Sequence, residues 1–415
     1  MSCCDFGSSL HYVSPAHGGW GVVRVAALIP ESHMLFVAPF ACGRHGALGG
    51  EINGIKDRIS YLYIDEGDII SGGYEDLIPD AVNELFDFLE KRPKVLVLFV
   101  TCLDDLLGTD HVQLQRRLRE RHPDVRFISC HMNPISMDTK FPPGVTLQNN
   151  IYSLLEKREQ RVDAINLIGN NVPISRDCEL FKIMADNGYS VRHITDFESF
   201  EGFLTMAESR LNLRLSQPAK YACEQMEKNL GIKCIDALAT YDIDEIKDFY
   251  SALGSALGFT PDTAKYEESA RCETERALSI IGDCPIALDY QAVKKPYTLA
   301  KALLRYGFNV RLIMADSLGA IEKSAYEYIK QEHPEIKILN AIHPDQVKFE
   351  SRGEDCLCIG FDCGYATGSD RVVDLMDDET LFGFCGLEML MKSLVKAYEN
   401  SGNLKAMIDD AGLVV

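Results

Sequence analysis

Three short stretches of the sequence place a cysteine where a loop can present its thiol. They span residues 3–7, 38–43 and 101–105 and contain Cys4, Cys42 and Cys102. The apolar runs at residues 33–39 and 94–100 predict buried parallel strands immediately before the second and third stretches. Because the carboxyl ends of parallel strands open onto one crevice, Cys42 and Cys102 should converge there. Thiols gathered on one rim indicate metal ligation.

The spacing of these cysteines favours an iron–sulfur cluster over zinc. Tens of residues separate Cys4, Cys42 and Cys102, whereas the ligands of a small zinc site come in close pairs. Thiolates spread over separate loops fit a larger iron–sulfur cluster better. Cys3 is adjacent to Cys4 and is an alternative ligand. Gly43, with further glycines at positions 46, 49 and 50, predicts a loop whose backbone N–H groups approach a cluster or anion.

Three further cysteines are secondary candidates as metal ligands. Cys130 ends a predicted strand at residues 125–130, and we favour a structural role in the core for it. Cys363 follows a predicted strand at 356–360 and lies in a predicted glycine-containing loop at 361–368. The C-x-C-x-x-x-x-C pattern that ends at Cys363 could bind a metal. The alternative is that these thiols pack in the core, and we again favour that interpretation. Cys385 lies near a late loop, where it and Cys363 could hold a metal transiently.

Composition excludes several classes of function. The chain has 415 residues, and its 62 acidic against 42 basic residues give a net charge of −20, which argues against binding a nucleic-acid backbone. No apolar run approaches the roughly 20 residues that span a bilayer, and the N-terminus lacks the pattern of a signal peptide. We therefore expect a cytoplasmic protein whose 14 cysteines are not paired as disulfides.

Alternating strand and helix patterns along the whole chain predict an α/β fold of three Rossmann-like parallel β/α domains. The predicted domains are residues 1–160, residues 161–270 including a connecting helix, and residues 271–415 ending in a helix. A strand at 277–282 is expected to open the third domain. A small-molecule substrate belongs in the cleft between domains, at the strand ends.

Several motifs together resemble one known family, the nitrogenase component 1 proteins. The matching segments are Cys4-Asp5-Phe6-Gly7-Ser8, Cys42-Gly43, residues 68–73 (DIISGG), Thr101-Cys102 with Asp104-Asp105 and Leu107-Gly108, residues 165–169 (INLIG) and residues 221–228 (YACEQMEK). The resemblance covers essentially the whole chain, which is similar in length to the smaller members that reduce tetrapyrroles.

The resemblance implies a three-domain fold of the nitrogenase component 1 type and a cofactor. In that family the three cysteines of each chain bind half of an interfacial iron–sulfur cluster, either 4Fe–4S or a larger P-cluster-like group. Cys4, Cys42 and Cys102 match those cysteines. The partner would be an identical or homologous chain. An ATP-hydrolysing iron-protein-like reductase is also implied as a separate protein, because this chain lacks the G-x-x-x-x-G-K-[ST] phosphate loop.

The sequence departs from the family at two positions that matter for function. The family's cofactor cysteine would fall near Leu215 and Ser216, and its cofactor histidine matches Phe382. Nitrogen fixation is therefore not expected. The leading hypothesis is an oxidoreductase subunit that passes low-potential electrons through its cluster to a substrate. The alternative is a non-catalytic scaffold on which a metal cluster is assembled or transferred.

Overall fold

Three parallel sheets organise the described part of the chain. The computed structural model describes residues 10, 12, 21–132, 141–348, 355–376, 378 and 380–410. The strands in these residues are β1 (Ser32–Ala38), β2 (Ile59–Tyr63), β3 (Val95–Thr101), β4 (Arg126–Met132), β5 (Ala164–Ile168), β6 (Ser190–His193), β7 (Leu211–Arg214), β8 (Lys233–Asp236), β9 (Ile286–Asp289), β10 (Val310–Ala315), β11 (Lys337–Asn340), β12 (Leu357–Ile359) and β13 (Val372–Val373).

Helices connect most of these strands, as expected for parallel sheets. They are α1 (Gly21–Ala26), α2 (Phe40–Ile52), α3 (Glu66–Ile70), α4 (Tyr74–Phe88), α5 (Cys102–Leu107), α6 (His111–Arg121), α7 (Pro143–Tyr152), α8 (Glu179–Asp186), α9 (Phe200–Leu204), α10 (Lys220–Leu230), α11 (Ile243–Leu257), α12 (Ala264–Ile281), α13 (Pro296–Tyr306), α14 (Lys323–Glu332), α15 (Phe361–Thr367), α16 (Gly383–Glu399) and α17 (Leu404–Asp410). Within the described residues, none of them combines the length and apolar character needed to cross a bilayer.

All three sheets share the same type of strand order. The orders are β2-β1-β3-β4, β6-β5-β7-β8 and β11-β10-β9-β12-β13. The first strand of each sheet therefore has later strands on both sides, and the order reverses between β1 and β3, between β5 and β7, and between β9 and β12. At such a switch point the neighbouring connections leave toward opposite faces, which opens a crevice at the carboxyl ends of the strands.

The chain divides into two compact units. Among the described residues, the N-terminal unit lies within Trp20–Asn171 and Gly188–Leu238 and holds the first two sheets. The C-terminal unit lies within Val172–Asn187 and Ala239–Val415, also includes residues 10 and 12, and holds the third sheet. The predicted α/β fold class, with three Rossmann-like parallel sheets, is confirmed. The proposed domain boundaries at residues 160 and 270 stay a prediction.

The first sheet is buried on both faces. Every residue of β1 and β3 is buried, and successive residues alternate between two apolar cores. On one face Phe36 stacks on Phe99, with ring centroids 4.6 Å apart. On the other face Leu35 and Leu98 pack with the helices α4 and α6. A strand covered on both sides must be apolar at nearly every position, which is why the runs at 33–39 and 94–100 predicted these two strands correctly.

The predicted glycine-rich loop after Cys42 is wrong, because those residues form the helix α2. Gly46 lies against the ring of Phe36, where an added Cβ would come within 2.6 Å of Cε1. Gly50 lies equally close to Ile59. These glycines lower the intrinsic helix propensity but let the helix approach the sheet closely, and packing outweighs propensity here.

Two other expectations near the third sheet are also wrong. The run at 277–282 is the end of α12, and its buried residues Ala270, Thr274, Ala277 and Ile281 recur at helical spacing. The sheet begins instead at β9. Cys363 lies in the helix α15 rather than in a loop, because the flanking glycines bound the helix. Gly360 precedes the helix with φ 106°, and Gly368 ends it in the left-handed region.

Replacing Gly46 with Ala tests the close approach of α2. We expect the free energy of unfolding to fall by about 1–2 kcal/mol, because an overpacking cost of about 1–3 kcal/mol exceeds a helix-propensity gain of up to about 1 kcal/mol. The measurement is the midpoint of the first transition in urea. The matched control is Gly144→Ala in α7, where an added Cβ meets nothing within 4 Å and stability should be unchanged or slightly higher. A Gly46→Ala protein as stable as the wild type would contradict the packing argument.

Candidate functional site

Cys42 and Cys102 flank the switch point of the first sheet. β1 pairs with β3 in parallel, with Val37 opposite Val100. Pro39 follows β1 and caps α2, so Cys42 lies in the first turn of that helix. Cys102 directly follows β3 as the first residue of α5. The two thiols therefore follow neighbouring strands at the same edge of the sheet, and both are partly exposed.

Other candidate cysteines lie in different surroundings. Cys130 is buried within β4 and Cys363 within α15, and burial raises the pKa of each thiol to about 12. Metal ligation requires a thiolate, which such burial disfavours. Cys385 is half-buried in α16, and burial raises the pKa of its thiol as well. These environments favour a structural role for Cys130 and Cys363.

The C-x-C-x-x-x-x-C series packs in the core of the C-terminal unit. The sulfur atoms of Cys356 and Cys358 are 3.6 Å apart, and the thiol of Cys363 donates to the carbonyl oxygen of Ile359 at 3.3 Å. All three side chains are buried. Hydrogen-bonded thiols inside an apolar core need no metal to explain their positions.

The remaining candidates are Cys3, Cys4 and Gly43. Cys4, and Cys3 as its alternative, lie outside the described residues, so their part in ligation stays a prediction. The N–H of Gly43 donates to the carbonyl oxygen of Pro39 at 3.1 Å inside α2. An added Cβ at Gly43 would lie 3.0 Å from Cε1 of Tyr63, so a larger residue there would need the ring of Tyr63 to shift. A role for Gly43 beside a cluster stays a prediction.

Large apolar side chains are exposed at the same edge of the sheet. Phe40 precedes Cys42 by two residues and contacts Tyr63, with ring centroids 5.2 Å apart. Leu106 lies one turn of α5 beyond Cys102 and is 82% exposed. Exposed apolar groups of this kind commonly mark an association surface. We call these three exposed side chains at the carboxyl ends of β1, β2 and β3, namely Phe40, Tyr63 and Leu106, the apolar edge.

A polar network beside Cys102 was missed by the sequence analysis. Asp104 in α5 is 1% exposed, accepts a hydrogen bond from the hydroxyl of Tyr74 at 2.8 Å and pairs with Nε2 of His111. Burial alone would raise the pKa of Asp104, but the hydrogen bonds from His111 and Tyr74 outweigh it and lower that pKa. Burial raises the pKa of Tyr74 well above its usual value, so its hydroxyl stays a donor. Asp104 is therefore ionised and fixed in place.

The network continues to a second histidine. Nδ1 of His131 lies 2.9 Å from Oδ1 of Asp105, and the rings of His131 and His111 meet edge to face with centroids 4.5 Å apart. The sequence signals were weak: Asp104 and Asp105 belong to a family-like motif, but His111 begins a predicted helix and His131 falls in a predicted loop after the strand at 125–130. Only the fold brings α5, α6 and β4 together.

The residues that the sequence resemblance matches to cofactor ligands are packed side chains here. Phe382 is buried in the C-terminal unit and meets Phe249 at right angles, with ring centroids 5.4 Å apart. Leu215 and Ser216 are buried in the N-terminal unit, after β7. The Ser216 hydroxyl has no hydrogen-bond partner among the described residues. None of these three side chains is a thiol or an imidazole.

Comparisons with known proteins agree on one family. The family model described as nitrogenase component 1 type oxidoreductase matches residues 18–360. A curated relative, the nitrogenase iron-molybdenum cofactor biosynthesis protein NifE of Clostridium pasteurianum, is 22% identical over 219 residues, which are 51% of this chain. The match covers 47% of that relative, so the chain spans about half the length of the curated protein it matches.

Solved structures agree on the fold. The structure titled Nitrogenase Cp1 at pH 6.5 superimposes with a TM-score of 0.72 at 15% identity, covering 94% of this chain and 93% of the other. Nitrogenase Cp1 at pH 5 gives a TM-score of 0.58, again at 15% identity, covering 94% of this chain and 90% of the other. At this identity the likeness is one of fold alone, and the family follows from the sequence model. With a match over residues 18–360, the chain belongs to the nitrogenase component 1 type oxidoreductase family.

Proposed function

We propose that this protein is a component 1-type subunit that binds an iron–sulfur cluster through Cys4, Cys42 and Cys102. The cluster, 4Fe–4S or larger and P-cluster-like, would be shared with a partner chain and would pass low-potential electrons to a small-molecule substrate. One observation carries the proposal: two partly exposed thiols follow the neighbouring strands β1 and β3 at a switch point. Ligands of parallel α/β proteins gather at such points.

The partner chain follows from the number of thiolates. Three cysteines do not complete the four-thiolate shell of a cubane, and a larger cluster needs more ligands still. A two-fold interface would bring a second set of three cysteines to the same axis. The apolar edge supports this arrangement, because Phe40, Tyr63 and Leu106 would lose contact with water when covered by the same surface of a second chain. The partner is then an identical or homologous component 1-type chain.

The same covered edge would help to control the redox chemistry. When bound, the cluster supplies one-electron transfer at low potential. This chain contributes thiolate ligands and an apolar surrounding that excludes water, and both influence the potential of an iron–sulfur cluster. If ATP drives the reaction, as the resemblance implies, a separate iron-protein-like reductase would hydrolyse it and deliver the electrons, since the sequence has no phosphate loop of its own.

Nitrogen fixation is not part of the proposal. A molybdenum–iron cofactor bound as in nitrogenases needs a thiolate and an imidazole from this chain. Leu215, Ser216 and Phe382 stand near or at the matching positions, and Phe382 is packed against Phe249. The substrate would therefore be a different small molecule, bound directly rather than on such a cofactor.

A second candidate function is a scaffold for cluster assembly or transfer. The observation that favours it is the match to NifE, a relative named for its part in cofactor biosynthesis. A scaffold needs the same cysteine rim but no turnover. Cys385, which is half-buried, is the described secondary cysteine best placed to contact a metal in transit.

Replacing Cys42 or Cys102 with Ala tests the ligand assignment. Each change should lower the iron content of anaerobically purified protein by at least half and abolish its cluster signal in electron paramagnetic resonance, because a methyl group cannot replace a thiolate. The matched control is Cys272→Ala, which removes an exposed thiol from α12 and should leave iron unchanged. Equal iron loss in the control and the two variants would count against the assignment.

Replacing Leu106 with Lys tests the proposed interface. A charge within a covered apolar edge should weaken the dimer at least about tenfold, a cost of about 1.4 kcal/mol, and iron content should fall with it. Analytical ultracentrifugation under anaerobic conditions measures the association. The control is Phe88→Lys, since Phe88 is 85% exposed but ends α4 before β3 begins, at the other edge of the sheet. An iron-loaded monomer of the wild-type protein would refute the shared cluster.

Electron delivery separates the electron-transfer subunit from the scaffold. With an iron-protein-like reductase and dithionite, the wild-type cluster should be reduced only when ATP is hydrolysed, and the Cys42→Ala protein should show no such signal. Freeze-quenched electron paramagnetic resonance measures the reduction. A scaffold would instead release iron and sulfide to an acceptor protein without any ATP-dependent reduction, and that result would favour the second function.

A further inference from the structure

We infer that Asp104, His111 and His131 form a binding site for one divalent transition-metal ion, in addition to the proposed cysteine cluster. We call these three residues the Asp-His-His cluster. One carboxylate oxygen and one nitrogen from each imidazole lie within 4.8 Å of one another. The inference rests on this geometry and does not depend on the proposed electron transfer.

The three ligand atoms are close to the spacing that a metal ion requires. Ligand atoms bound tetrahedrally to one zinc ion at about 2.0–2.2 Å lie about 3.3–3.6 Å from one another, so the widest pair must approach by little more than about 1 Å. Small rotations of His111 and His131 would therefore bring all three onto one ion. Two imidazoles and one carboxylate are the donor set of many zinc sites with an open position and of non-haem ferrous sites.

Each of the three ligand side chains also has a second polar partner that helps to fix its orientation. The other carboxylate oxygen of Asp104 accepts from Tyr74 at 2.8 Å. Nδ1 of His131 lies 2.9 Å from the carboxylate of Asp105, so Nε2 would be the nitrogen that binds the metal. Nδ1 of His111 lies 3.4 Å from the hydroxyl of Ser129, and its Nε2 faces Asp104. Metal-binding imidazoles characteristically have this outer partner, which sets their tautomer and orientation.

The three side chains of the cluster differ in their exposure to solvent. The side chains of Asp104, His111 and His131 are 1%, 17% and 31% exposed. The carboxylate is therefore anchored in the protein while the imidazole of His131 borders water. Three protein ligands with one open side leave coordination positions for water or a small ligand, as in catalytic rather than structural zinc sites.

A simpler interpretation is a hydrogen-bonded network that only fastens α5 to α6. The contact between Asp104 and His111 would serve that purpose without a metal. The same interpretation would extend to His131, which comes from β4, pairs with Asp105 and meets the His111 ring at 4.5 Å, so the contacts by themselves do not decide between the two. Metal retention is a measurement that distinguishes the two interpretations.

Zinc is the probe for the test. The anaerobically purified full-length protein, with its iron in place, is equilibrated with Zn(II) and desalted, and zinc and iron per chain are measured by mass spectrometry. We expect one retained zinc per chain, and X-ray absorption at the zinc edge should show nitrogen and oxygen ligands without sulfur. His131→Ala should weaken zinc binding at least tenfold and leave iron content and thermal stability unchanged, since this side chain is partly exposed.

Two further variants sharpen the result. Asp105→Asn should weaken zinc binding by about 10- to 100-fold through the outer partner of His131. His333→Ala is the control, because His333 is a partly exposed histidine paired with Glu335 at the end of α14 and should not affect zinc. Absence of retained zinc, sulfur ligands at the zinc edge, or equal retention in the His131→Ala and His333→Ala proteins would each overturn the inference.

Discussion

Parallel pairing of β1 with β2 on one side and with β3 on the other is the constraint on which the rest of the N-terminal unit depends. Parallel neighbours cannot be joined by a tight turn, so each connection must cross a face of the sheet. The connections therefore cover both faces with helices, and both faces of β1 and β3 become apolar. The carboxyl ends of the strands at the switch point are left open to polar and reactive side chains. Cys42, Cys102 and the Asp-His-His cluster all follow from that geometry.

Close approach of helices to the strand ends places a second demand on the sequence. Gly46 and Gly50 let α2 lie against Phe36 and Ile59 in the first sheet. At the switch points of the other sheets, Gly169 follows β5 and Gly360 follows β12, both with positive φ. An added Cβ at Gly169 would lie 2.4 Å from Oγ of Ser216, and one at Gly360 would lie 2.5 Å from the carboxylate of Asp289. Glycine at these positions therefore permits close contact between elements, and at Gly169 and Gly360 it also permits a positive φ.

Buried carboxylates hold the elements around these points. In the C-terminal unit, Glu179 accepts hydrogen bonds from the hydroxyl of Tyr250 and from the N–H groups of Phe384 and Cys385, which fixes the start of α16. Asp289 accepts from the N–H of Cys363, and burial with the nearby charge of Asp362 raises the pKa of Asp289 to about 7. Such groups are tolerated inside a protein only when donors surround them. Asp104 obeys the same rule, but its donors include an imidazole that can also bind a metal.

The sequence by itself determined the strands that precede Cys42 and Cys102, most of the helices, the α/β class and the family. Apolar runs and helical periodicity are local properties of the chain, and a motif is a local property too. It also predicted that the two thiols would follow parallel strands, because strand ends in such a sheet share one edge.

The tertiary structure alone decided that residues 43–50 are helical and that residues 277–282 end a helix. Packing against Phe36 and burial along α12 outweigh the local signals there. The Asp-His-His cluster likewise depends on tertiary structure, since Asp104, His111 and His131 lie on three separate elements. Their spacing in the sequence carries no information until the order β2-β1-β3-β4 sets those elements side by side.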